Sequence, residues 1–147
     1  MSGPHAEIQS LLGRYCWLVD HREWDEWKLC FAEDGAFVTR GRRLVGRQEI
    51  VDYVQEELSR FRMIRHLAHV PSIELGADER SAECQSYFEL RAVTLRGNET
   101  VALGSYSDRL ALGEPGWQFA ERQAQFDYWV RRRDPWYGPE NGPDPSR

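Results

Sequence analysis

The chain has 147 residues and a mass of 17.2 kDa, enough for one domain that buries a core without disulfides or structural metals. Hydrophobic residues are 41% and aromatic residues 12% of the sequence, which excludes a disordered chain, and a net charge of −5 argues against nucleic-acid binding. No apolar run approaches the roughly 20 residues of a membrane span, no secretory leader pattern is found, and the three cysteines are widely spaced. We therefore expect a cytoplasmic protein with reduced thiols and no membrane partner.

The first third of the chain has helical periodicity. Apolar residues recur at three- and four-residue intervals over residues 6–19, which predicts an amphipathic helix that ends at Asp20. Aromatic residues at the same spacing predict a second helix over residues 23–32, and a glycine-containing turn precedes a short predicted strand over residues 36–39. A third helix is predicted over residues 47–60.

The remainder of the chain alternates between apolar and polar residues, which predicts strands. An extended segment over residues 63–75 is interrupted at Pro71, which indicates an edge strand or a bulge. Three more strands, separated by short turns, are predicted: residues 81–95, 100–112 and 117–129. The short turns predict an antiparallel meander. Residues 131–147 lack any period, and we expect them to be a surface extension of a single domain formed by residues 1–130.

This order of elements predicts an α+β fold. Three helices on the concave face of a curved antiparallel sheet would enclose a conical cavity, which is the natural ligand site of such an architecture. Alternation places Tyr106 and Asp108 on one face of their strand, and Ala124, Phe126 and Tyr128 together on one face of the next strand.

The opposite face of the predicted strands carries large apolar side chains. Alternation places Tyr87, Leu103, Phe119 and Trp129 there, where they would meet water. Because this apolar area favours self-association, we expect a homo-oligomer, either a dimer or a trimer.

Histidine is scarce in this chain, with only four residues, so each is a candidate for proton transfer. His66 and His69 lie three residues apart on a predicted strand and point to opposite faces, so at most one faces the cavity. A buried structural histidine is the simplest interpretation of either. Asp20, however, follows an apolar helix face, and a carboxylate turned inward there would need a partner. An Asp–His pair fixes the imidazole tautomer and makes a general base.

Tyr15 lies on the apolar face of the same predicted helix, five residues before Asp20. It either packs in the core or donates a hydrogen bond to a substrate oxygen. No phosphate-binding glycine loop, dinucleotide fingerprint or nucleophile motif occurs, and the histidines and carboxylates lack the spacing of a metal site. We therefore expect neither a cofactor nor a metal ion.

Several short strings occur in a distinctive order along the chain. They are RYCWLVD at 14–20, WDEW and FAED within 24–34, GR followed by Ile at 46–50, RHLAH at 65–69, GSYSD at 104–108 and WQF at 117–119. Over residues 7–130 this order resembles the SnoaL-like branch of the NTF2-like cone-shaped folds. That branch includes scytalone dehydratase, hexachlorocyclohexane dehydrochlorinase and bile-acid 7α-dehydratase.

The resemblance implies roles for individual positions. Asp20 and His66, rather than His69, match the catalytic dyad of the family, and Tyr15 matches the helix tyrosine of the bile-acid enzyme. Tyr106 matches a tyrosine that faces the cavity. Pocket-lining roles are implied for Ala124 and Phe126, and at least one further aromatic side chain is expected in the substrate site, from Trp24, Phe37 and Phe88.

The chain also departs from these enzymes. Phe126 stands where the bile-acid dehydratase has an arginine, and the second active-site histidine of scytalone dehydratase has no counterpart on the strand over residues 100–108. These departures argue against those two substrates, although the Asp–His pair is retained.

Two classes of function follow from the resemblance. The first is a cofactor-independent lyase or isomerase of secondary metabolism, which acts on a small cyclic or polyketide-like substrate through the Asp–His dyad. The second is a non-catalytic partner that resembles the β subunit of aromatic-ring-hydroxylating dioxygenases, with a pathway cyclase or ligand-binding protein as a further alternative. An enzyme would carry the dyad inside a closed, aromatic-lined cavity. A structural subunit would instead have a filled cavity and a large surface that faces its partner.

Overall fold

The computed structural model describes residues 3–132 of the chain. Three helices lie in the first half of the chain. Helix α1 spans Pro4–Asp20 and begins with a proline, whose missing N–H would have no partner in the first turn in any case. Helix α2 (Trp24–Trp27) is a single turn followed by a 3-10 turn over Lys28–Cys30, and α3 spans Arg47–Leu58. The predicted extension over residues 131–147 lies outside the described residues except for its first two.

The predicted second helix ends earlier than expected. A strand begins at Phe31, whereas the aromatic spacing predicted helix as far as residue 32. The side chain of Phe31 is fully buried between the rings of Trp27 and Phe119, at centroid distances of 5.5 and 5.3 Å. Packing of this ring in the core therefore overrides the helical spacing.

Seven strands form one mixed, curved and unclosed sheet. They are β1 (Phe31–Thr39), β2 (Arg42–Val45), β3 (Phe61–Ala68), β4 (Ser72–Leu75), β5 (Ser81–Thr94), β6 (Glu99–Gly113) and β7 (Gly116–Arg132). The order across the sheet is β2-β1-β7-β6-β5-β3, and β4 pairs with the other end of β5. Pro71 lies between β3 and β4, where the predicted break in the extended segment occurs.

The predicted meander implied an entirely antiparallel sheet, but one pair of strands is parallel. Strand β1 pairs with β7 in parallel, with Phe31 opposite Phe119 and Thr39 opposite Ala124. Strands β5, β6 and β7 form the antiparallel meander, and β1 lies beside β7 at its edge, running in the same direction as β7. The remaining pairs, including β5–β6 and β6–β7, are antiparallel as expected.

The core lies between the helices and one face of the sheet. Helix α1 buries the apolar stripe that its periodicity predicts, including Ile8, Leu11 and Tyr15. Strand β6 alternates strictly, so that Ala102 and Tyr106 are buried while their neighbours are more exposed. Among the described residues, none of the helices combines the length and hydrophobicity that crossing a bilayer requires.

A bulge in β7 reverses the alternation that the sequence suggests. Arg109 of β6 faces Glu121, but Leu110 faces Phe119, so Ala120 is an extra residue. Phe119 is consequently fully buried, and its prediction as an outward-facing residue is wrong.

A second irregularity in β7 changes the face of the sheet to which its last side chains point. Leu103 faces Tyr128 and Gly104 faces Phe126, which leaves Asp127 unpaired. Trp129 then lies opposite the buried Ala102 and turns to the inner face, whereas Tyr128 is 53% exposed. The predicted faces of these two aromatic residues are therefore exchanged, because one inserted residue flips every side chain after it.

Candidate functional site

Asp20 and His66 lie in contact at the end of α1. The Nδ1 atom of His66 is 2.6 Å from Oδ1 of Asp20, and the side chains are only 9% and 6% exposed. The backbone N–H of His66 also donates to the same carboxylate, at 3.0 and 3.2 Å from its two oxygens. Asp20 therefore ties the last residue of α1 to strand β3 and holds the imidazole at the same time.

The hydrogen bonds of Asp20 determine the tautomer of His66. An ionised carboxylate can only accept hydrogen bonds, so Nδ1 of the neutral imidazole carries the hydrogen. The lone pair then resides on Nε2, the nitrogen that makes no contact with Asp20. His66 is one of the residues that line a cavity between the helices and the sheet, so this arrangement offers a proton acceptor there.

His69 takes no part in this arrangement. It lies after the end of β3, is exposed, and donates its backbone N–H to the carbonyl oxygen of Tyr87 at 3.0 Å. The two histidines of the RHLAH string are thus separated, with His66 at the cavity and His69 at the surface.

A cavity of about 180 Å³ opens between the helices and the concave face of the sheet. Its inner wall is mostly apolar and aromatic. Six residues that the sequence analysis singled out line it: Tyr15, Phe37, His66, Tyr106, Ala124 and Phe126. The cavity is not filled by side chains, as a ligand site requires, but it opens to solvent, whereas the sequence analysis expected the cavity of an enzyme to be closed.

Two of the aromatic residues expected in the substrate site are placed elsewhere. Phe88 is buried behind Tyr106, and the two rings stack with a centroid distance of 4.4 Å. Trp24 packs edge-on against Trp27 at 5.7 Å on the short helix α2, which lies away from the cavity. Neither is among the described residues that line the cavity, so Phe88 supports the wall and Trp24 does not contribute to it.

Two tyrosines meet at the inner end of the cavity. The rings of Tyr15 and Tyr106 lie edge to face with a centroid distance of 6.2 Å. Burial raises the pKa of both phenols above their usual range, so both stay protonated near neutral pH. They can therefore donate hydrogen bonds to an oxygen atom of a ligand.

A buried ion pair lies beneath these tyrosines and was not predicted. Arg122 donates from Nε to Oδ1 of Asp108 at 2.9 Å and from Nη2 to Oδ2 at 3.3 Å. The guanidinium carbon lies 3.6 Å from the ring centroid of Tyr106 and 4.2 Å from that of Tyr15. Arg122 thus supports both phenols from below by cation–π contact.

A signal for this pair was present in the sequence. Asp108 shares its strand face with Tyr106, and Arg122 shares its face with Ala124 and Phe126. Opposite charges on two inward faces of neighbouring strands indicate a buried pair. Burial raises the pKa of Asp108 although the guanidinium of Arg122 acts in the other direction. For Arg122, burial disfavours the charge, but Asp108 together with Tyr15, Tyr106 and Cys16 outweighs it and raises the pKa of the guanidinium.

Charged side chains surround the mouth of the cavity. Arg40, Glu57, Arg60 and Arg131 line its outer part, together with Trp129. Glu57 contacts both Arg40 and Arg60, at 3.3 and 3.2 Å.

The remaining reactive groups do not form a further site. Within residues 3–132 there is no group of three or more His, Cys, Asp or Glu side chains placed to hold a metal ion. The three cysteines are free and buried. Burial raises the pKa of Cys16 and of Cys84 to about 11.

The SnoaL-like domain family matches residues 4–123. No match was found among the curated proteins. A protein of unknown function from Mycobacterium tuberculosis is 28% identical with a TM-score of 0.75, and the match covers 83% of this chain and 70% of that one.

Two other solved structures share the fold. A candidate scytalone dehydratase from Novosphingobium aromaticivorans is 17% identical with a TM-score of 0.79, and the match covers 97% of this chain and 93% of that one. A candidate aromatic ring hydroxylase from the same organism is 20% identical with a TM-score of 0.79, covering 88% and 94% of the two chains. At these identities the likeness concerns the fold alone.

Proposed function

The chain belongs to the SnoaL-like domain family, and we propose that within this family it is a cofactor-independent lyase of the dehydratase type or an isomerase. The observation that carries the proposal is the contact between His66 and Asp20 at the wall of an open cavity, with Nδ1 and Oδ1 2.6 Å apart. The substrate is a small cyclic or polyketide-like compound, in keeping with the aromatic walls.

The proposed reaction begins with His66 as the general base. Nε2 takes a proton from a carbon next to an electron-withdrawing group, and Asp20 stabilises the imidazolium that forms. In an elimination, the electron pair of that C–H bond forms the double bond. The leaving hydroxyl group accepts the proton from the imidazolium and departs as water, while Tyr15 and Tyr106 donate hydrogen bonds to the developing negative charge.

An isomerisation uses the same groups. The proton that His66 removes from one carbon is returned to another, and the intermediate enolate is held by the two phenols. The choice between the two reactions depends on whether the substrate carries a leaving group beside the acidic carbon.

The test measures turnover and thermal unfolding for the same set of variants. A panel of cyclic β-hydroxyketones reports elimination through the absorbance of the conjugated enone, and NMR reports isomerisation. We expect His66→Ala to lower turnover by about 10²–10⁴-fold, the usual contribution of a general base, while the melting temperature changes little. His69→Ala is the matched control, since this exposed histidine lies three residues away on the same segment, and it should keep full activity.

Two further variants separate the roles of the partners. Asp20→Asn keeps the shape but removes the charge that supports the imidazolium, so turnover falls, although less than in His66→Ala. Tyr15→Phe removes one donor and lowers turnover moderately. A folded His66→Ala protein with full activity on a substrate that the wild type converts would overturn the mechanism.

A second candidate function is a non-catalytic partner of a ring-hydroxylating dioxygenase. It is favoured by the structural likeness to a candidate aromatic ring hydroxylase. The unfilled cavity with a histidine in its wall argues for the enzyme instead, because a subunit with only an assembly role has no need for either. Copurification of a larger iron-containing subunit with the tagged chain from its source would favour the second candidate.

We also propose that the protein forms a homo-oligomer through the outer face of the sheet. Leu67, Glu89, Leu103 and Tyr128 follow one another across strands β3, β5, β6 and β7. The three apolar members of this row are 47%, 45% and 53% exposed, and Tyr87 beside them is 72% exposed. Self-association would remove this area from water.

A further inference from the structure

We propose that the ligand of the cavity is an amphipathic anion whose apolar ring lies inside and whose carboxylate or phosphate group is held at the mouth by Arg40, Arg60 and Arg131. The inference rests on the proposed function only in calling this ligand the substrate. The binding preference itself follows from the wall of the cavity.

The three arginines reach the cavity from separate parts of the chain. Arg40 lies in the turn between β1 and β2, Arg60 lies between α3 and β3, and Arg131 lies near the end of β7. All three line the same cavity as His66. Three arginines from three distant segments that line one opening form a cationic rim, which is distinct from a run of charges along one surface strand.

The charge of the rim is opposite in sign to that of the chain. Among the described residues that line the cavity, Glu57 is the only carboxylate, so three arginines and one glutamate leave a net charge of +2 at the mouth. The whole chain has a net charge of −5. A positive opening on a negative protein attracts anions to this position and repels them from the remaining surface.

Contacts within the rim orient the guanidinium groups without neutralising them. Arg40 lies above the rings of Phe126 and Trp129, with its guanidinium carbon 4.9 and 5.1 Å from their centroids. The two carboxylate oxygens of Glu57 contact one arginine each: Oε2 lies 3.3 Å from Arg40 and Oε1 lies 3.2 Å from Arg60. These two arginine side chains remain 44% and 63% exposed, so donors are left for a ligand oxygen.

The two ends of the cavity therefore differ in the ligand group that they favour. The inner end has His66 between aromatic and aliphatic side chains, and the outer end has the cationic rim. A planar guanidinium matches the oxygen atoms of a carboxylate or a phosphate, whereas an uncharged ligand would leave the positive rim uncompensated. An apolar ring with an acidic side arm satisfies both ends.

Calorimetric titration of the full chain with matched compounds tests this inference without turnover. The probes are 3-(2-naphthyl)propionate, its uncharged primary amide and 2-(2-naphthyl)ethyl phosphate. We expect the carboxylate to bind about tenfold more tightly than the amide at low salt, with the ratio falling as salt is added. Comparison of the carboxylate with the phosphate shows which of the two acidic groups fits the rim better.

Removing an arginine from the rim and removing its glutamate should change the ratio of carboxylate affinity to amide affinity in opposite directions. Arg40→Gln and Arg60→Gln remove positive charge and should lower the carboxylate-to-amide ratio several-fold, while the amide affinity stays the same. Glu57→Gln removes the competing carboxylate and should raise the ratio. Arg109→Gln is the control, because Arg109 is an exposed arginine that pairs with Glu121 outside this cavity and should leave the ratio unchanged.

The possible results separate this inference from the proposed function. Equal or weaker binding of the carboxylate, a ratio that the rim variants do not change, or no binding of any probe at millimolar concentration would each overturn it. If the ratio behaves as expected while His66→Ala retains full activity, the anion site stands and the catalytic proposal fails. If the rim variants leave the carboxylate-to-amide affinity ratio unchanged while His66→Ala is inactive, the catalytic proposal stands and the anion site fails.

Discussion

The guanidinium of Arg122 and the carboxylate of Asp108 lie side by side in the interior, with side-chain exposures of 1% and 0%. Removing one charge leaves the other buried without a partner. We therefore expect Arg122→Met to lower the free energy of unfolding by about 3–5 kcal/mol, measured by urea denaturation.

The double variant provides the control for this prediction. Asp108→Leu combined with Arg122→Met removes both charges, and it should recover part of the loss because no isolated charge remains. A single variant that costs less than about 1 kcal/mol would show that the pair is hydrated or dispensable.

The cysteines allow a second prediction at the scale of single residues. All three thiols are buried, and burial raises the pKa of Cys16 and of Cys84 to about 11, so the thiolate that reacts with disulfide reagents is scarce below that pH. We expect Ellman's reagent to react slowly with the native protein at pH 8 and to release three equivalents once guanidinium chloride unfolds it. Rapid reaction of the native protein would contradict the burial.

At the scale of single residues, the contact between Asp20 and a histidine could be predicted only in part. The scarcity of histidine and the need of Asp20 for a partner left His66 and His69 as alternatives. The family resemblance selected His66, whose side chain contacts Asp20. Arg122 was missed because arginine is abundant in this chain and no local feature distinguishes one arginine from another. Only the shared face with Ala124 and Phe126 carried that information.

At the scale of secondary structure, Gly104 of β6 lies where the backbone of β7 and a buried ring leave no room for a Cβ atom. A Cβ atom there would lie 2.1 Å from the carbonyl oxygen of Gln125 and 2.5 Å from the ring of Phe88. We expect Gly104→Ala to destabilise the protein by roughly 1–3 kcal/mol in thermal or urea unfolding, because backbone and a buried ring must move. Gly113→Ala is the matched control, since its Cβ would make only ordinary contacts of 3.4 Å or more. Equal effects of the two substitutions would contradict the prediction.

The boundaries of β5, β6 and β7 could be predicted to within a few residues, whereas β1 begins five residues before the predicted strand and β2 was not predicted. The faces of the strands could not be predicted throughout. Alternation in β6 is unbroken and gives the correct inner face, including Tyr106. In β7 the extra residues at Ala120 and Asp127 exchange the two faces, and this turns Phe119 and Trp129 inward. An inserted residue changes neither hydrophobicity nor strand propensity, so the sequence contains no local sign of a bulge.

For the molecule as a whole, the row of Leu67, Glu89, Leu103 and Tyr128 on the outer sheet face predicts self-association, because its three apolar members are exposed. Leu103→Glu introduces a charge into the middle of this row, beside Glu89, and should shift the protein toward monomers in light scattering at micromolar concentration. Leu95→Glu is the control, because this exposed leucine lies beyond the end of β5 and outside the row. A wild-type protein that is already monomeric would contradict the expected oligomer.

The parallel pairing of β1 with β7 has a consequence for how the protein is made. Thr39 of β1 pairs across this parallel edge with Ala124 in the middle of β7, so β1 cannot join the main sheet until most of the chain has left the ribosome. Closing so long a loop is entropically costly and slow. During synthesis, the apolar faces of helix α1 and strand β1 therefore stay exposed to solvent until β7 has been translated. We expect the nascent chain to depend on chaperones until β7 pairs with β1.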